Sequence, residues 1–141
     1  MRPPLIFLDT GPLKALLDTR DQFHQRSRHM FALATASRAR LRTPVPALLE
    51  LHRLLIQRRQ SPHDTAAAAH RALAALVEAY PPEHTVETDM SHALESLARF
   101  PDQKITLADA SIASMALRLG ALVMTLDERH FRLLGARTFS A

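Results

Sequence analysis

Four acidic side chains in this sequence stand where a parallel α/β sheet would bring them together. Asp9 and Asp127 each follow a short apolar run that predicts a strand. Asp109 lies near the start of an almost wholly apolar predicted helix, and Glu50 lies in a helix predicted to begin at Pro46. Because the carboxyl ends of parallel strands meet in one crevice, we expect the four carboxylates to converge there.

Converging carboxylates limit the chemistry that such a crevice can perform. Four acids in one place could not all stay ionised at neutral pH without a cation between them. The sequence has no cysteine, and its eight histidines show no zinc-binding spacing, so a zinc site is not indicated. We therefore predict a divalent cation bound by oxygen ligands, and chemistry on a phosphate group.

Three of the acids also have an interpretation without chemistry. Asp9 and Asp127 each precede a predicted helix, where an aspartate often caps the first turn. Asp109 stands third after Thr106, which fits a capping box with aspartate in place of glutamate. The helical face of Asp109 is otherwise apolar, however, and a buried carboxylate is costly unless it is paired or bound to metal. This cost favours a functional role for Asp109.

Glu50 has the least support from periodicity. Leu48, Leu51 and Leu55 define the buried face of its predicted helix, and Glu50 lies off that face. A solvent-exposed ion pair with Arg53 would explain the glutamate equally well. Only its membership of a set of four acids connects Glu50 with the predicted site.

Alternating apolar runs and helical periodicities define the elements that position these acids. Short runs predict strands at residues 5–8, 41–43, 85–87, 121–125 and 137–139. Longer periodic segments predict a helix opening at residues 10–12, a helix capped by Asp21 that runs to about residue 37, and helices at 47–59, 61–79, 91–99, 107–119 and 128–134. Strands that alternate with helices favour a three-layer α/β/α sandwich around a central parallel sheet of four or five strands.

The composition is that of an ordinary globular protein. At 141 residues, 47% of them hydrophobic, the chain (residues 1–141) is predicted to fold as a single domain. The absence of cysteine favours a reducing cytoplasm, and no apolar run is long enough to cross a membrane. Arginine supplies 16 of the 18 basic residues, and the net charge is +4. An acidic crevice inside a basic surface suits a polyanionic substrate, although arginine usage alone would give the same balance.

Two other enzyme classes share part of the first acidic segment and are not supported. Residues 9–11 spell Asp-Thr-Gly, the triplet of aspartic proteases, but those proteins are all-β and rich in glycine turns. This chain has three glycines and mostly helical periodicity. A phosphatase of the haloacid dehalogenase type needs a second aspartate two residues after the first, where this chain has Gly11. Both classes are excluded.

Four segments together resemble the motifs of the PIN domain family, and most of all its VapC-type ribonuclease toxins of bacterial toxin–antitoxin pairs. The segments are residues 7–13 (FLDTGPL), 43–50 (TPVPALLE), 107–113 (LADASIA) and 125–131 (TLDERHF). Each motif is weak alone, but the four occur in order along nearly the whole chain, each at the expected element.

The resemblance implies a PIN-like fold and a metal-dependent endoribonuclease that hydrolyses RNA phosphodiester bonds. The acidic pocket of such an enzyme would bind one or two Mg²⁺ ions, with Mn²⁺ as a substitute. The residues that match this pocket are Asp9, Glu50, Asp109 and Asp127.

The resemblance also suggests supporting residues around the acids. Thr10 and Thr125 would hold the carboxylates or a nucleophilic water through their hydroxyl groups. Asp21 and His24 fall where relatives often carry an acid and a histidine, so they are candidates for substrate binding. A helix cap and an exposed imidazole explain these two residues as well.

Basic residues are expected to bind the substrate, and the family implies two protein partners. Arg26 and Arg42 belong to an arginine-rich stretch that would contact RNA phosphates without reading bases, although a solvated helix face is equally consistent with it. By analogy with the family, we expect a homodimer and a cognate antitoxin protein that blocks the acidic groove.

Two rival functions stay open at this point. A PIN-like domain without catalysis would bind RNA or a protein, although an intact set of four acids argues against the loss of catalysis. A structure-specific DNA nuclease would use the same metal chemistry, and nothing in these residues decides between RNA and DNA.

Overall fold

The computed structural model describes residues 2–57 and 62–140, in which short strands alternate with helices. The strands of this part of the chain are β1 (Leu5–Leu8), β2 (Arg40–Pro44), β3 (Pro82–Glu83), β4 (Leu122–Met124) and β5 (Thr138–Phe139). Its helices are α1 (Thr10–Leu17), α2 (His24–Ala36), α3 (Val45–Ile56), α4 (Pro62–Ala79), α5 (Glu87–Arg99), α6 (Leu107–Leu119) and α7 (Glu128–Leu133).

The five strands form one parallel sheet in the order β3-β2-β1-β4-β5. The chain builds outward from β1 through β2 to β3, and then returns to place β4 on the other side of β1. The order therefore reverses between β1 and β4, and ligands of open parallel sheets bind beyond the carboxyl ends of the strands at such a point. The predicted α/β/α fold with a central parallel sheet is confirmed.

The central strand β1 is buried on both faces of the sheet. Ile6 and Leu8 pack into one apolar cluster with residues from α1 to α4, and Phe7 packs into a second cluster with residues mainly from α5 to α7. All three side chains are fully buried. Burying a side chain of this size stabilises a fold by roughly 1.5–3 kcal/mol, so this continuous apolar run anchors both helical layers.

The strand predicted at residues 85–87 is wrong, because β3 lies at Pro82–Glu83 and Glu87 already belongs to α5. The Asp89 carboxylate accepts a hydrogen bond from the Val86 backbone N–H at 2.9 Å, which stabilises the start of α5. Two acids in the first turn of α5 also interact favourably with the helix dipole. These helix-start signals outweigh the strand preference of the β-branched residues before them.

The N-cap predicted at Asp21 is also wrong. Helix α2 begins at His24, with Phe23 at the N-cap position. Asp21 lies one turn earlier, where its Oδ1 accepts a hydrogen bond from the Phe23 backbone N–H at 2.8 Å. An aspartate that bonds the backbone two residues on forms a local turn, and this turn precedes the helix.

The ends of two other helices bear on the site. Helix α3 begins at Val45, and the predicted end of this helix at residue 59 and the predicted start of the next at residue 61 lie outside the described residues. Helix α6 has the predicted bounds, with a capping box between Thr106 and Asp109 at its start. Gly120 ends it with a positive φ of 68°, a conformation that favours glycine. In the described part of the chain, every helix is too short or too polar to cross a membrane.

Candidate active site

Asp9 follows β1 directly, at the point where the strand order reverses. Its backbone N–H donates to the Met124 carbonyl at 3.0 Å, which ties the end of β1 to β4. The residue occupies the N-cap position of α1, but its side chain makes no capping hydrogen bond. Instead, its Oδ2 accepts a hydrogen bond from the Thr125 hydroxyl at 2.8 Å. Helix capping therefore does not explain the Asp9 carboxylate.

The Asp9 carboxyl group is buried among other acids, with only 8% of the residue exposed. Burial and the neighbouring Asp109 raise the pKa of Asp9 to about 7, and Glu50 adds a smaller contribution in the same direction. Hydrogen bonds from Thr125 and from the Thr10 backbone act against this rise in pKa. A carboxylate with this environment is costly to keep ionised at neutral pH unless positive charge is brought to it.

Glu50 reaches the same region from α3 through Thr10. The Thr10 hydroxyl group is buried and lies 3.2 Å from Glu50 Oε2 and 3.5 Å from the Ala47 carbonyl oxygen. These contacts connect the start of α1 with the second turn of α3. Within the described residues, the contact of Glu50 is with Thr10, and the ion pair with Arg53 that the spacing allows is not formed.

Asp109 approaches from the first turn of α6, where it is half-buried. It completes the capping box, since its backbone N–H donates to Thr106 Oγ1 at 3.1 Å and its Oδ2 accepts from the Thr106 N–H at 3.3 Å. Burial raises the pKa of Asp109 and Glu50 adds to this rise, whereas Thr106 and His130 lower the pKa. The capping role is real, but it leaves the carboxyl group within electrostatic reach of two other acids.

Asp127 joins the site differently from the other three acids, because its side chain is 54% exposed. It caps α7, accepting a hydrogen bond from the His130 backbone N–H at 3.4 Å, and its Oδ2 lies 2.8 Å from His130 Nδ1. Its backbone N–H donates to the Thr125 hydroxyl at 2.9 Å. The buried Thr125 therefore bonds both Asp9 and Asp127, and connects the two strand ends.

The oxygen atoms of the four acids and of Thr10 and Thr125 are of the type that binds a hard divalent cation, but they do not surround a single point. Carboxylate and hydroxyl oxygens are the ligands that Mg²⁺ and Mn²⁺ take in proteins, and the excess negative charge at Asp9 calls for a cation. Among the described residues, no three histidine or acidic side chains lie close enough together to form a ready-made metal cluster. Asp9, Glu50 and Asp109 influence one another electrostatically, and Asp127 is joined to them through Thr125.

Asp21 and His24 connect α1 with α2. Asp21 Oδ2 lies 3.1 Å from Lys14 Nζ, and the Phe23 N–H together with Lys14 lowers the pKa of Asp21. His24 Nδ1 lies 2.7 Å from the Ala15 carbonyl oxygen. These contacts give both residues a structural role in the packing of the two helices.

The two candidate arginines lie in different surroundings. Arg26 is exposed on α2. Arg42 donates to the Pro82 carbonyl at 3.1 Å and lines a cavity of about 480 Å³ that also contains Leu5 and Leu119. In the sheet Arg42 lies beside Phe7, two residues before Asp9, and its Nε lies 3.9 Å from Glu83 Oε1.

Two features beside the acids were missed in the sequence. His130 bonds Asp127 and lowers the pKa of Asp109, and the only signal for it is the i,i+3 spacing from Asp127 at the start of a helix. A largely apolar groove of about 620 Å³ runs beside Glu50. Its wall includes Leu49, which is 68% exposed and lies off the helix face defined by Leu48, Leu51 and Leu55, and Arg53 one turn further along α3.

Comparisons with solved structures show shared folds at low sequence identity. VapBC-1 from nontypeable Haemophilus influenzae is similar with a TM-score of 0.74 and 18% identity, over 96% of this chain and 97% of that chain. FitAcB from Neisseria gonorrhoeae has a TM-score of 0.73 and 17% identity, over 96% of each chain. VapC20 from Mycobacterium tuberculosis, a toxin that cleaves the sarcin–ricin loop, has a TM-score of 0.68 and 23% identity, over 89% of this chain and 92% of that chain.

Sequence comparison identifies the family. No curated protein matches the sequence. The model of the PIN domain family matches residues 6–135, a range that contains all four acids of the candidate site and the three threonines, Thr10, Thr106 and Thr125, that bond them. The chain belongs to the PIN domain family.

Proposed function

We propose that this protein is a metal-dependent endoribonuclease, and that it acts as the toxin of a bacterial toxin–antitoxin pair. The observation that carries the nuclease proposal is the environment of Asp9. Its buried carboxyl group has a pKa raised to about 7 by burial and by the acids Asp109 and Glu50, at the reversal point of a parallel sheet. Acids held together at such a cost are expected where a cation must be bound.

The four acids would hold one or two Mg²⁺ or Mn²⁺ ions. When bound, such ions neutralise the phosphate and lower the pKa of a coordinated water. Asp9 and Asp127 would contact the ion most directly, because each follows a strand at the reversal point. Asp109 has a raised pKa and would accept a proton from the attacking water, or share that role with Glu50.

The two threonines would keep the acids in place during the reaction. Thr125 donates to Asp9 Oδ2 and accepts from the Asp127 backbone N–H, so one buried hydroxyl group joins the Asp9 carboxylate to the backbone of Asp127. Thr10 donates to Glu50 Oε2, which directs that carboxylate toward the start of α1. These hydrogen bonds would limit the motion of the Asp9 and Glu50 carboxylates before a cation and a phosphate enter.

The charge distribution supports a nucleic-acid substrate. Setting the four site acids aside leaves 18 basic residues against 10 acidic ones in the chain. Arg53 lies in the groove beside Glu50, and Arg26 is exposed on α2, so both are free to meet a phosphate backbone. Binding through such contacts should weaken steeply as salt concentration rises.

The toxin role is supported by the solved structures that share this fold. They include VapBC and FitAcB, and a VapC toxin that cleaves an RNA loop. By analogy, we propose that a cognate antitoxin covers the acidic site, that the toxin forms a homodimer, and that residues 1–141 act as one domain in the cytoplasm.

The test is cleavage of a mixed RNA pool by the purified protein with Mg²⁺ or Mn²⁺, compared with EDTA. Asp9→Asn and Asp127→Asn each remove one negative charge with little change in shape. Asp102→Asn is the matched control, since Asp102 is exposed in the loop before α6. A single-stranded and a duplex DNA pool are tested under the same conditions.

We expect metal-dependent RNA fragments from the wild type and from Asp102→Asn, and none from the two site variants. Fragments that persist in Asp9→Asn would refute the assigned site. Cleavage of DNA in preference to RNA would replace the ribonuclease with a DNA nuclease. Absence of both cleavage and metal-induced stabilisation would favour a PIN domain that binds without cutting.

A further inference from the structure

His130 contacts both carboxylate oxygens of Asp127. The backbone N–H of His130 donates to Asp127 Oδ1 at 3.4 Å, and the ring Nδ1 lies 2.8 Å from Oδ2. A carboxylate oxygen only accepts, so Nδ1 must carry the hydrogen, whichever form the ring takes. The same residue therefore restrains the carboxylate at two points.

This restraint matters because Asp127 is the most exposed acid of the site. Its backbone is fixed by the hydrogen bond from its N–H to Thr125, but its side chain is 54% exposed. Asp9, by contrast, is buried and held by Thr125. Without the ring of His130, only one long hydrogen bond would oppose rotation of the Asp127 side chain into solvent.

The ring itself is firmly placed. The side chain of His130 is only 16% exposed, and the next residue, Phe131, is fully buried in the core beneath α7. His130 also makes a small contribution that lowers the pKa of Asp109. The imidazole is thus held in a partly buried position against the N-cap residue of α7.

We propose that His130 is a positioning residue of the acidic site, which holds the Asp127 carboxylate in a fixed orientation for binding a divalent cation. The inference rests on the proposed metal-dependent nuclease function and adds a residue to it. A group that orients a metal ligand typically contributes about 10-fold to 100-fold in metal affinity or activity. The competing explanation is that the pair only stabilises the start of α7.

The experiment measures thermal unfolding of the full chain in EDTA and with rising Mn²⁺, together with RNA cleavage. His130→Ala removes the ring, and His130→Asn keeps an N–H donor close to the position of Nδ1. His29→Ala is the matched control, since His29 is an exposed histidine on α2. The EDTA measurement reports whether each variant folds.

We expect His130→Ala to need at least about 10-fold more Mn²⁺ than the wild type for the same rise in unfolding temperature above its value in EDTA, with cleavage reduced in parallel. His130→Asn should recover most of the loss, and His29→Ala should match the wild type. A His130→Ala variant that unfolds at a lower temperature in EDTA, but gains as much as the wild type at each Mn²⁺ concentration, would show that the pair only stabilises the start of α7 and would overturn the inference. A His130→Asn variant as impaired as His130→Ala would overturn it too.

The wild type separates this inference from the function on which it rests. A wild type that neither cleaves RNA nor gains stability from Mn²⁺ removes the proposed function and the role of His130 together. A wild type that does both, alongside a His130→Ala variant that does both equally well, removes only the role of His130.

Discussion

Replacing Asp9 with asparagine should make the metal-free protein more stable while abolishing its activity. Asparagine has nearly the same shape, and its amide oxygen can still accept the hydrogen bond from Thr125. The change removes the charge that burial, Asp109 and Glu50 oppose. The ionised Asp9 carboxylate is thus expected to lower the stability of the metal-free protein while it is required for activity, as is common in active sites.

The size and the pH dependence of this effect follow from the raised pKa of Asp9. A rise from 3.8 to about 7 corresponds to roughly 4 kcal/mol of free energy. The folded state binds the proton of the Asp9 carboxyl group more tightly than the unfolded state, so protonation of Asp9 stabilises the fold. This stabilisation is fully present below pH 3.8. It is lost as the pH rises toward 7, and above that value the ionised Asp9 lowers the free energy of unfolding by the full amount.

Urea unfolding in EDTA at pH 5 and pH 8 measures this directly. We expect Asp9→Asn to exceed the wild type by roughly 2–4 kcal/mol at pH 8, and by less at pH 5. Asp102→Asn, an exposed aspartate, should show neither effect. Saturating Mn²⁺ should narrow the difference by stabilising only the wild type, by about 2.7 kcal/mol at 100 times the dissociation constant. A variant less stable than the wild type at pH 8 would refute the assigned cost of the Asp9 charge.

Three further substitutions test other parts of the structure. Asp89→Asn breaks the bonds at 2.9 Å from Arg118 to a buried carboxylate and should cost about 2 kcal/mol in urea unfolding, a value reduced because Arg118 is one-third exposed. Burial alone would raise the pKa of Asp89, but Arg118 lowers it below 3.8, so this difference should persist at neutral pH and shrink as the pH falls through the lowered pKa. Thr125→Val should cost about 1–3 kcal/mol in urea unfolding and reduce cleavage, because Asp9 and the Asp127 N–H each lose a partner. Gly120→Ala should cost about 1 kcal/mol in thermal unfolding, because a φ of 68° disfavours any side chain. The added carbon itself meets no atom within 4 Å, so no steric clash adds to this cost.

Conservative replacements provide the controls for these substitutions. Thr125→Ser keeps the hydroxyl group and should retain activity, so equal impairment of the serine and valine variants would contradict the hydrogen-bonding role. Gly120→Asn should cost less than Gly120→Ala, because asparagine tolerates positive φ better. A wild-type–Asp89→Asn difference that stays constant down to pH 2 would contradict the lowered pKa of Asp89.

Most of the fold was predictable because its elements have strong local signals. The apolar run of β1, too short for a helix and buried on both faces, needed no tertiary information. The same is true of α6, whose capping box at Thr106 and terminal Gly120 mark both ends. The strand predicted at residues 85–87 failed because a helix start and a strand compete for the same β-branched residues, and the Asp89 carboxylate decided in favour of the helix.

The residues of the candidate site were easier to predict from the sequence than the contacts between them. Asp9, Asp109 and Asp127 follow from their places after predicted strands and near a helix start, whereas Glu50 and the hydroxyl group of Thr125 were connected with the site through the set of acids and the family resemblance. His130 was missed because none of the eight histidines has a zinc-binding spacing, and because the cap at Asp127 uses the backbone N–H of His130, which a residue of almost any type would supply. Its contact with Asp127 connects it with the site, and the sequence does not show that the ring makes this contact.

The missing information is the order of the strands. Thr125 and Asp9 are separated by 116 positions, and their side chains bond only because β4 lies directly beside β1. Any sequence pattern that predicts both strands is equally satisfied if another strand lies between them, and that arrangement would separate the two acids by a further strand spacing of about 4.8 Å. The reversal between β1 and β4 therefore does more than open a crevice. It makes the backbone N–H of Asp9 a partner of Met124 and so fixes the register in which Thr125 meets the carboxylate.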